Sequence, residues 1–576
     1  MRFSSTGGSR RTARALAVAA VAALALTACA DSERPPEEDT PADTDTDTGT
    51  GTETGDAAAS GGTFVFAASS DPAMLDPAFA SDGETFRVAR QIFEGLVGTE
   101  PGTADPAPLL AKSWTNSEDG LSYTFQLEED VTFHDGSAFN GEAVCTNFDR
   151  WYNWTGLLQS QNLSYYYQSL FKGFKESDNP DLQGGIYDSC EATSDTEVTV
   201  TLKKPFAAFV QALSLPAFSM QSPAAMEEFD ADNVSGSEDD PRFSAYATEN
   251  PSGTGPFKFD SWDRGQNVTL TRYDDYWGTK AQLDKVIIQT ISDPQARVQA
   301  LKAGEIDGYD LVAPGDVDGL EADGFQVETR PAFNILYLGM NQKAAPLDDL
   351  KVRQAIAYAI DKEAVISQSL PEGTTPATQF IPDLVEGYSE DVATYDYDPE
   401  KAKALLKEAG AEGAAIEFNY PTGVSRPYMP APEDTYVAIK SQLEAVGLKV
   451  TPTADKWSPE YLDKIQGSEA HGLHLLGWTG DYNDTDNFLG VFFGKASNEW
   501  GFENPELFTA LDEARGLATR DEQKPAYEAI NEQIMEFLPG IPIASPVPSL
   551  AFAPGVEGYQ PSPVQDEVWN EVTVTR

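Results

Sequence analysis

The stretch Leu475-Leu476-Gly477-Trp478-Thr479-Gly480-Asp481 constrains this chain more than any other. It begins as a short apolar run, reads as a buried strand, and breaks at two glycines, the second followed directly by a carboxylate. A strand end that delivers Asp481 into a cleft can hold a cationic group. Asn483, Asp484, Asp486 and Asn487 come next, side chains that suit a turn, so the same residues also read as a strand running into a solvated acidic loop. A calcium loop counted from Asp481 fails, because its sixth position is Asp486 instead of glycine and its twelfth is Phe492.

Charge narrows the partners. The 576 residues carry 39 Lys+Arg against 93 Asp+Glu, a formal net charge of -54, so there is no basic field to meet nucleic-acid phosphates. Aromatic residues make up 11%, which places most of the chain among globular proteins and not among disordered acidic ones. At the N-terminus, Arg2, Arg10, Arg11 and Arg14 precede the apolar run Ala15 to Ala28, too short for an ordinary membrane span and suited to an export signal over residues 1–28. Leu26-Thr27-Ala28-Cys29 resembles a bacterial lipobox, which implies cleavage before Cys29 and a lipid anchor on its sulfur. Residues 29–60, including Asp43-Thr44-Asp45-Thr46-Asp47-Thr48, have nothing apolar to bury and read as a disordered, self-repelling tether. Outside the cell membrane, the remaining pair Cys145 and Cys190 is expected as a disulfide.

Order is expected from Gly61. Phe64 and Phe66 alternate as in a strand, and Ala68-Ser69-Ser70-Asp71 follows as a loop. Arg87 to Val97 is amphipathic and predicts a helix with Val88, Ile92, Phe93 and Leu96 on one face. Asp119-Gly120 is a hairpin signal before the alternating Tyr123, Phe125 and Leu127, and Glu197 to Leu202 alternates likewise. Asp293 to Gly304 predicts a helix with Val298 and Leu301 inward. Asp348 is expected to cap a helix striped by Val352, Ala355, Ile356, Ala359 and Ile360. Asp398-Pro399 and Ser458-Pro459 are helix starts, Gly410 is a stop, and Glu571 to Thr575 is strand-like. Strands and helices alternate, which predicts α/β layering.

Leu110-Ala111, Trp114, Asp119-Gly120 and Phe133-His134-Asp135-Gly136 together resemble the signature of the family 5 solute-binding proteins of ABC importers, the peptide and nickel binders. The turn Asn250 to Phe257 and the run Gly304-Glu305-Ile306-Asp307 match the same family. The resemblance covers nearly all of the chain after residue 61, and it implies a two-lobed, periplasmic-binding-protein-like α/β fold (type II, cluster C) with an extra subdomain in the first lobe. The expected boundaries are 61–333 for the first lobe, with the subdomain over about 105–245, then 334–545 for the second lobe and a return to the first over 546–576. His134 falls in a structural turn of the signature.

The resemblance also implies a site. Gly477 to Asp481 is similar to the stretch of dipeptide binders whose aspartate holds the ligand's α-ammonium, and Arg426-Pro427-Tyr428 matches the run whose arginine forks onto the ligand's carboxylate. A guanidinium is a rigid bidentate match to a carboxylate. Ser69, Ser70 and Asp71 fall where relatives hydrogen-bond the peptide backbone, Trp478-Thr479-Gly480 would face them across an extended ligand, and Tyr428 and Trp457 would wall the side-chain space. The expected protein is a monomeric binder of short, dipeptide-like ligands at the extracytoplasmic face of the bacterial membrane, lipid-anchored and serving an ABC permease, with no cofactor and no resident metal. The chain carries no His-Glu-x-x-His, Gly-x-Ser-x-Gly, Walker or Cys-x-x-Cys sequence, so an enzyme is not expected. The alternatives are a nickel-chelate or haem binder on the same fold, using His471 and His474, or a peptide receptor without transport. Two inserts, Asn162 to Cys190 with Tyr165-Tyr166-Tyr167 inside it and Asp230 to Thr248, depart from the family and carry no ligand argument.

Overall fold

The computed structural model describes residues 61–576; the expected export signal, Cys29 and the expected acidic tether lie outside the described residues. Two sheets organise them. The first has seven strands in the order Phe257–Asp263, Asn267–Arg272, Lys285–Thr290, Thr63–Ala68, Gly308–Asp310, Ser549–Phe552, Gln326–Thr329. Thr63–Ala68 runs parallel to both its neighbours, with Phe64 and Phe66 fully buried against the helix residues Val88, Ala89 and Ile92. The second sheet has six strands, Thr375–Pro376, Gly540–Ser545, Asn334–Met340, Leu473–Thr479, Ala415–Thr422 and Lys449–Lys456. Asn334–Met340 is buried at every position, as a strand covered on both faces must be, which is why it reads as a continuous apolar run and not as an alternation.

A third sheet, Ala111–Asn116, Ser122–Leu127, Glu197–Leu202 and Tyr187–Ser194, gives the first lobe a core of its own. Cys145, on the helix Gly141–Tyr152, is bonded to Cys190 on the outer strand of this sheet, with S–S 1.97 Å and Cα atoms 5.1 Å apart. The chain passes between the two large sheets in two adjacent segments. The Arg330 amide donates to the Pro548 carbonyl (2.8 Å) and the Ser545 hydroxyl to the Asn334 carbonyl (2.7 Å), so the crossings are stitched side by side.

Several elements sit where the sequence pattern puts them. Asp293 caps Pro294–Ala303 and Gly304 ends it at φ 71°; Asp398 caps Pro399–Glu408. Others are corrected. The first helix is Gly83–Ile92, because the Asp82 carboxylate accepts from the Thr85 amide and fixes the start four residues before Arg87. Phe93 is already extended, and Leu96 is buried from the following segment, so an apolar spacing that looks helical continues past the helix end. Asp349, not Asp348, caps Leu350–Ala359, and Ile360 falls beyond its last turn. The start expected at Ser458-Pro459 is a five-residue π turn, Trp457–Tyr461, leading into Leu462–Gly467. At the C-terminus only Thr573–Val574 pairs, with Val556–Glu557.

Candidate functional site

The strand Leu473–Thr479 is central in the second sheet, antiparallel to Asn334–Met340. Its two glycines are steric requirements. A Cβ at Gly477 would overlap the Tyr428 ring and the Ile335 carbonyl, and one at Gly480 would overlap Phe333 and Phe488. The Gly480 amide donates to the Phe333 carbonyl (2.8 Å), which holds the strand end so that Asp481 leaves it at a fixed place. Asp481 is partly buried. Its Oδ1 accepts from the Tyr166 hydroxyl (2.8 Å), its Oδ2 from Asn487 Nδ2 (3.0 Å), and its amide donates to Asn487 Oδ1 (2.8 Å). Among the described residues no Lys, Arg or His side chain forms an ion pair with it. Burial pushes its pKa up to about 6, against the pull of Asn487, Tyr166 and the more distant Arg90 charge. This is a carboxylate held by neutral donors only, with acceptor capacity left for an ammonium.

Arg426 lies on a tight turn in which its amide and carbonyl both bond Met429 (3.1 and 2.9 Å). Its guanidinium carbon sits 4.4 Å from the centre of the Trp457 ring, and its buried Nε has no hydrogen-bond partner. Among the described residues it too makes no ion pair. Trp457 opens the π turn that Tyr461 fastens to the central strand, the Tyr461 hydroxyl donating to the Leu475 carbonyl (2.6 Å). Arg426 and Asp481 are thus positioned by elements anchored to one strand. Trp457, Trp478 and Thr479 are partly exposed, and the buried Thr479 Oγ1 has no partner. Trp478 reaches Asn487 Oδ1 at 3.4 Å. Tyr428 differs from expectation. Its ring fills the space above Gly477 and it is buried in the second lobe's core, so it supports the strand from behind.

The first-lobe segment is also corrected. Ser69 donates with both its amide and its hydroxyl to Glu84 (3.0 and 2.6 Å). Asp71 accepts from Trp262 Nε1 at 3.1 Å, the Gly265 amide at 2.9 Å and Thr290 at 3.3 Å. Both side chains are satisfied inside the first lobe, where they tie the strand end to a neighbouring helix and hairpin, and only Ser70 is exposed. The first lobe reaches Asp481 instead through the helix Tyr165–Phe171, in the insert for which the sequence offered no role. His471 and His474 lie in the interior of the second lobe, ring centroids 5.1 Å apart. The His471 ring bonds the Glu499 carbonyl (3.1 Å), and burial pushes its pKa down to about 4; the His474 ring covers Gly339. His134 bonds the Gly255 carbonyl (2.8 Å) in its turn, with its pKa likewise carried down to about 4 by burial. Among the described residues no group of three or more His, Cys, Asp or Glu side chains is placed to share a metal ion.

Residues 105–500 match the family model of the bacterial extracellular solute-binding proteins, family 5 (middle region). The chain belongs to that family. Family 5 proteins are binding proteins and not enzymes, and known relatives fall on both sides of the ligand question. Haem-binding protein A of Haemophilus influenzae is 30% identical over 534 residues, 90% of this chain and 93% of that one. The dipeptide-binding protein of Escherichia coli K12 is 32% identical over 456 residues, 77% of this chain and 81% of that one. Among solved structures, a dipeptide-binding protein of Pseudoalteromonas sp. SM9913 in complex with Met-Leu superposes with TM-score 0.74 at 26% identity, covering 89% of this chain and all of that one. An ABC transporter-associated periplasmic binding protein of Helicobacter pylori with the peptide STSA gives 0.73 at 27%, covering 90% and 98%. The family 5 fold accounts for the two lobes and the extra sheet of the first.

Sequence reasoning missed two hydrogen-bond partners of Asp481. Asn487 carries a signal, since an amide six positions after Asp481 in a tight loop is well placed to bond back to it. Tyr166 carries none, because it lies 315 positions away.

Proposed function

We propose that this chain is the lipid-anchored, extracytoplasmic solute-binding protein of an ABC importer, which captures short peptides with free ends between its lobes and delivers them to a membrane permease. The observation that carries the reading is the pair of unmatched charges. Among the described residues Asp481 has neutral donors and no cation, and Arg426 rests on Trp457 and has no carboxylate. A dipeptide carries an ammonium and a carboxylate at a fixed separation, and each matches one of them. Leaving either ligand charge buried and unpaired costs several kcal/mol, which is a basis for selecting length and end groups. The partly exposed Trp478 and Thr479 precede Asp481 in the chain, and Trp457 lies under Arg426, so each charge has apolar surface beside it. A ligand gripped from both lobes favours the closed arrangement over the open one, and the closed form is what a permease would read.

The compartment follows from the Cys29 lipobox and accords with the Cys145–Cys190 disulfide. The haem or metal alternative is less well supported, because His471 and His474 are enclosed in the second lobe's core and not set beside Asp481. Calorimetry on refolded, ligand-free full-length protein tests the proposal. Free dipeptides should bind, and N-acetylated and C-amidated forms should each lose affinity by a hundredfold or so, equivalent to about 3 kcal/mol. Undiminished binding of the C-amide would remove Arg426 from the role of clamp. Failure of every free-amine peptide would overturn the peptide reading.

A further inference from the structure

The insert helix Tyr165–Phe171 belongs to the first lobe's subdomain, with Tyr166, Tyr167, Leu170 and Phe171 buried in that core. Both of its ends are held by the second lobe. At the first turn the Tyr166 hydroxyl donates to Asp481 (2.8 Å). At the last turn Arg515 Nη2 donates to the carbonyls of Ser169 and Leu170 (3.0 and 2.9 Å), while its Nη1 pairs with Asp486 at 2.5 Å. A guanidinium on helix C-terminal carbonyls is electrostatically favourable. Between these grips Tyr482, from the loop that carries Asp481, is buried in the subdomain's own hydrophobic core. The loop 481–487 is pinned in turn to its own lobe by Arg520 on Asp484 and by the Thr485 hydroxyl on the Glu386 carbonyl.

We infer that the helix Tyr165–Phe171 is the closure latch of the cleft, and that Tyr166 is a positioning residue which sets the Asp481 carboxylate from the opposite lobe. The role at a ligand ammonium rests on the reading above; the latch itself does not. The consequence is a coupling. Asp481 has both its Asn487 and its Tyr166 donor only when the lobes are together, so a ligand amine and the helix support the same closed state. Tyr166 is kept a donor, since burial and the Asp481 charge both push its pKa well up. The groups facing Asp481 are Tyr165 and Tyr166 on this helix, Arg90 on Gly83–Ile92, and Tyr482 and Asn487 on its own loop. Of these only Arg90 is cationic, and it is engaged with Asp566 (3.1 Å) and the Val564 carbonyl (3.0 Å).

Three measurements on the full chain test this. In a thermal double-variant cycle without ligand, Tyr166→Phe and Asp481→Ala should give shifts that do not add; additive shifts overturn the contact. Small-angle scattering should show a larger radius of gyration for Tyr166→Phe combined with Arg515→Gln than for the unaltered protein; equal radii overturn the latch. In a pH series of dipeptide binding, Tyr166→Phe should move the midpoint upward, because a bond to the charged carboxylate is lost. A structural role alone would lower the melting temperature and leave that midpoint in place. If no free-amine peptide binds the unaltered protein, the peptide reading fails while the cycle and the scattering still decide the latch.

Discussion

The interior of the first lobe and the edge of the cleft both bury carboxylates, and they treat them in opposite ways. In the first lobe Asp310 faces two guanidiniums, Arg87 at 2.6 Å and Arg330 at 3.0 Å, and Arg330 continues to Glu567 at 2.5 Å. Burial alone would raise the Asp310 pKa, but the two arginines overcome it and carry it below the usual carboxylate range; Glu567 is lowered by Arg330 in the same way. At the cleft, Asp481 has hydroxyl and amide donors and, among the described residues, no cation, and burial wins. Breaking a buried pair leaves an uncompensated charge, which is strongly destabilising. A site that leaves a carboxylate and, separately, a guanidinium without partners accepts that instability in the ligand-free state, and a zwitterionic ligand relieves it. The comparison therefore distinguishes charges that hold the fold from charges that wait for something.

The sharpest way to break it is to substitute the matching residue in each region. Asp310→Asn should lower stability by about 3 kcal/mol, because Arg87 and Arg330 would lose the buried carboxylate they share and keep only Glu84 and Glu567. Since the Asp310 pKa is depressed on folding, its contribution is present above the unfolded carboxylate range and is lost on acidification, so the difference between variant and parent in denaturant unfolding should shrink as pH falls. Asp481→Asn should have the other sign. Its folded pKa, about 6, lies above the unfolded value of 3.8, so the cost of its charge is absent below that value and grows as pH rises through about 6. Ligand-free Asp481→Asn should be more stable than the parent by about 1–3 kcal/mol at pH 8 and no more stable at pH 4. The same variant should lose the binding of free-amine peptides. In the parent, binding of those peptides should weaken by up to about tenfold per pH unit below 6, as the free carboxylate takes up its proton. Equal signs for the two variants at pH 8 would erase the distinction.

Much of the paired region's scaffold is legible in the sequence, while its partners are not. The strands at 63–68 and 197–202 follow from apolar pattern, because burial dictates the spacing, whereas 334–340, read only as the crossover between lobes, is a strand buried on both faces. The glycines at 477 and 480 read as a strand break, yet the strand runs through Gly477 to Thr479, and both glycines are instead close-approach points for Tyr428 and Phe333. Asp481 and Arg426 stand out through their local context. What local context lacks is the far partner. Asp71 looks as available as Asp481 until Trp262, Gly265 and Thr290 arrive from a hairpin and a strand distant in sequence. Tyr166 lies in a run of three tyrosines for which the sequence offers no role, and its neighbour Tyr167 is core. Whether a polar side chain is spent or unspent is decided by tertiary contacts, and single-sequence pattern has no term for them.

A smaller test concerns the cationic end. Arg426 has an aromatic face beneath it in place of a counter-ion, and a desolvated cation–π contact is worth about 1–2 kcal/mol. Trp457→Leu keeps apolar bulk and removes the ring's charge distribution. It should weaken peptide binding by about 5- to 30-fold, with the loss confined to ligands that have a free carboxylate. An equal loss for C-amidated peptides would mean that Trp457 acts as wall and not as cradle for Arg426.

Salt should give the smallest effect and still separate the regions. Exposed pairs such as Lys112–Glu129 contribute little, and the net charge of -54 means that exposed acids mostly repel one another. At about 0.1 M salt the screening length is about 10 Å, and at 1 M about 3 Å, short enough to weaken that repulsion but not to reach buried contacts. Melting temperature should therefore rise by a few degrees between low salt and 1 M sodium chloride in the parent and in Asp481→Asn alike, and the Asp310→Asn deficit should stay nearly constant across the series. If salt instead closed the gap between Asp310→Asn and the parent, ions would be reaching Arg87 and Arg330, and the first lobe's network would have to be counted as solvated. The contrast with Asp481 would then be one of degree, set by how far each carboxylate is withdrawn from water, and no longer one of pairing.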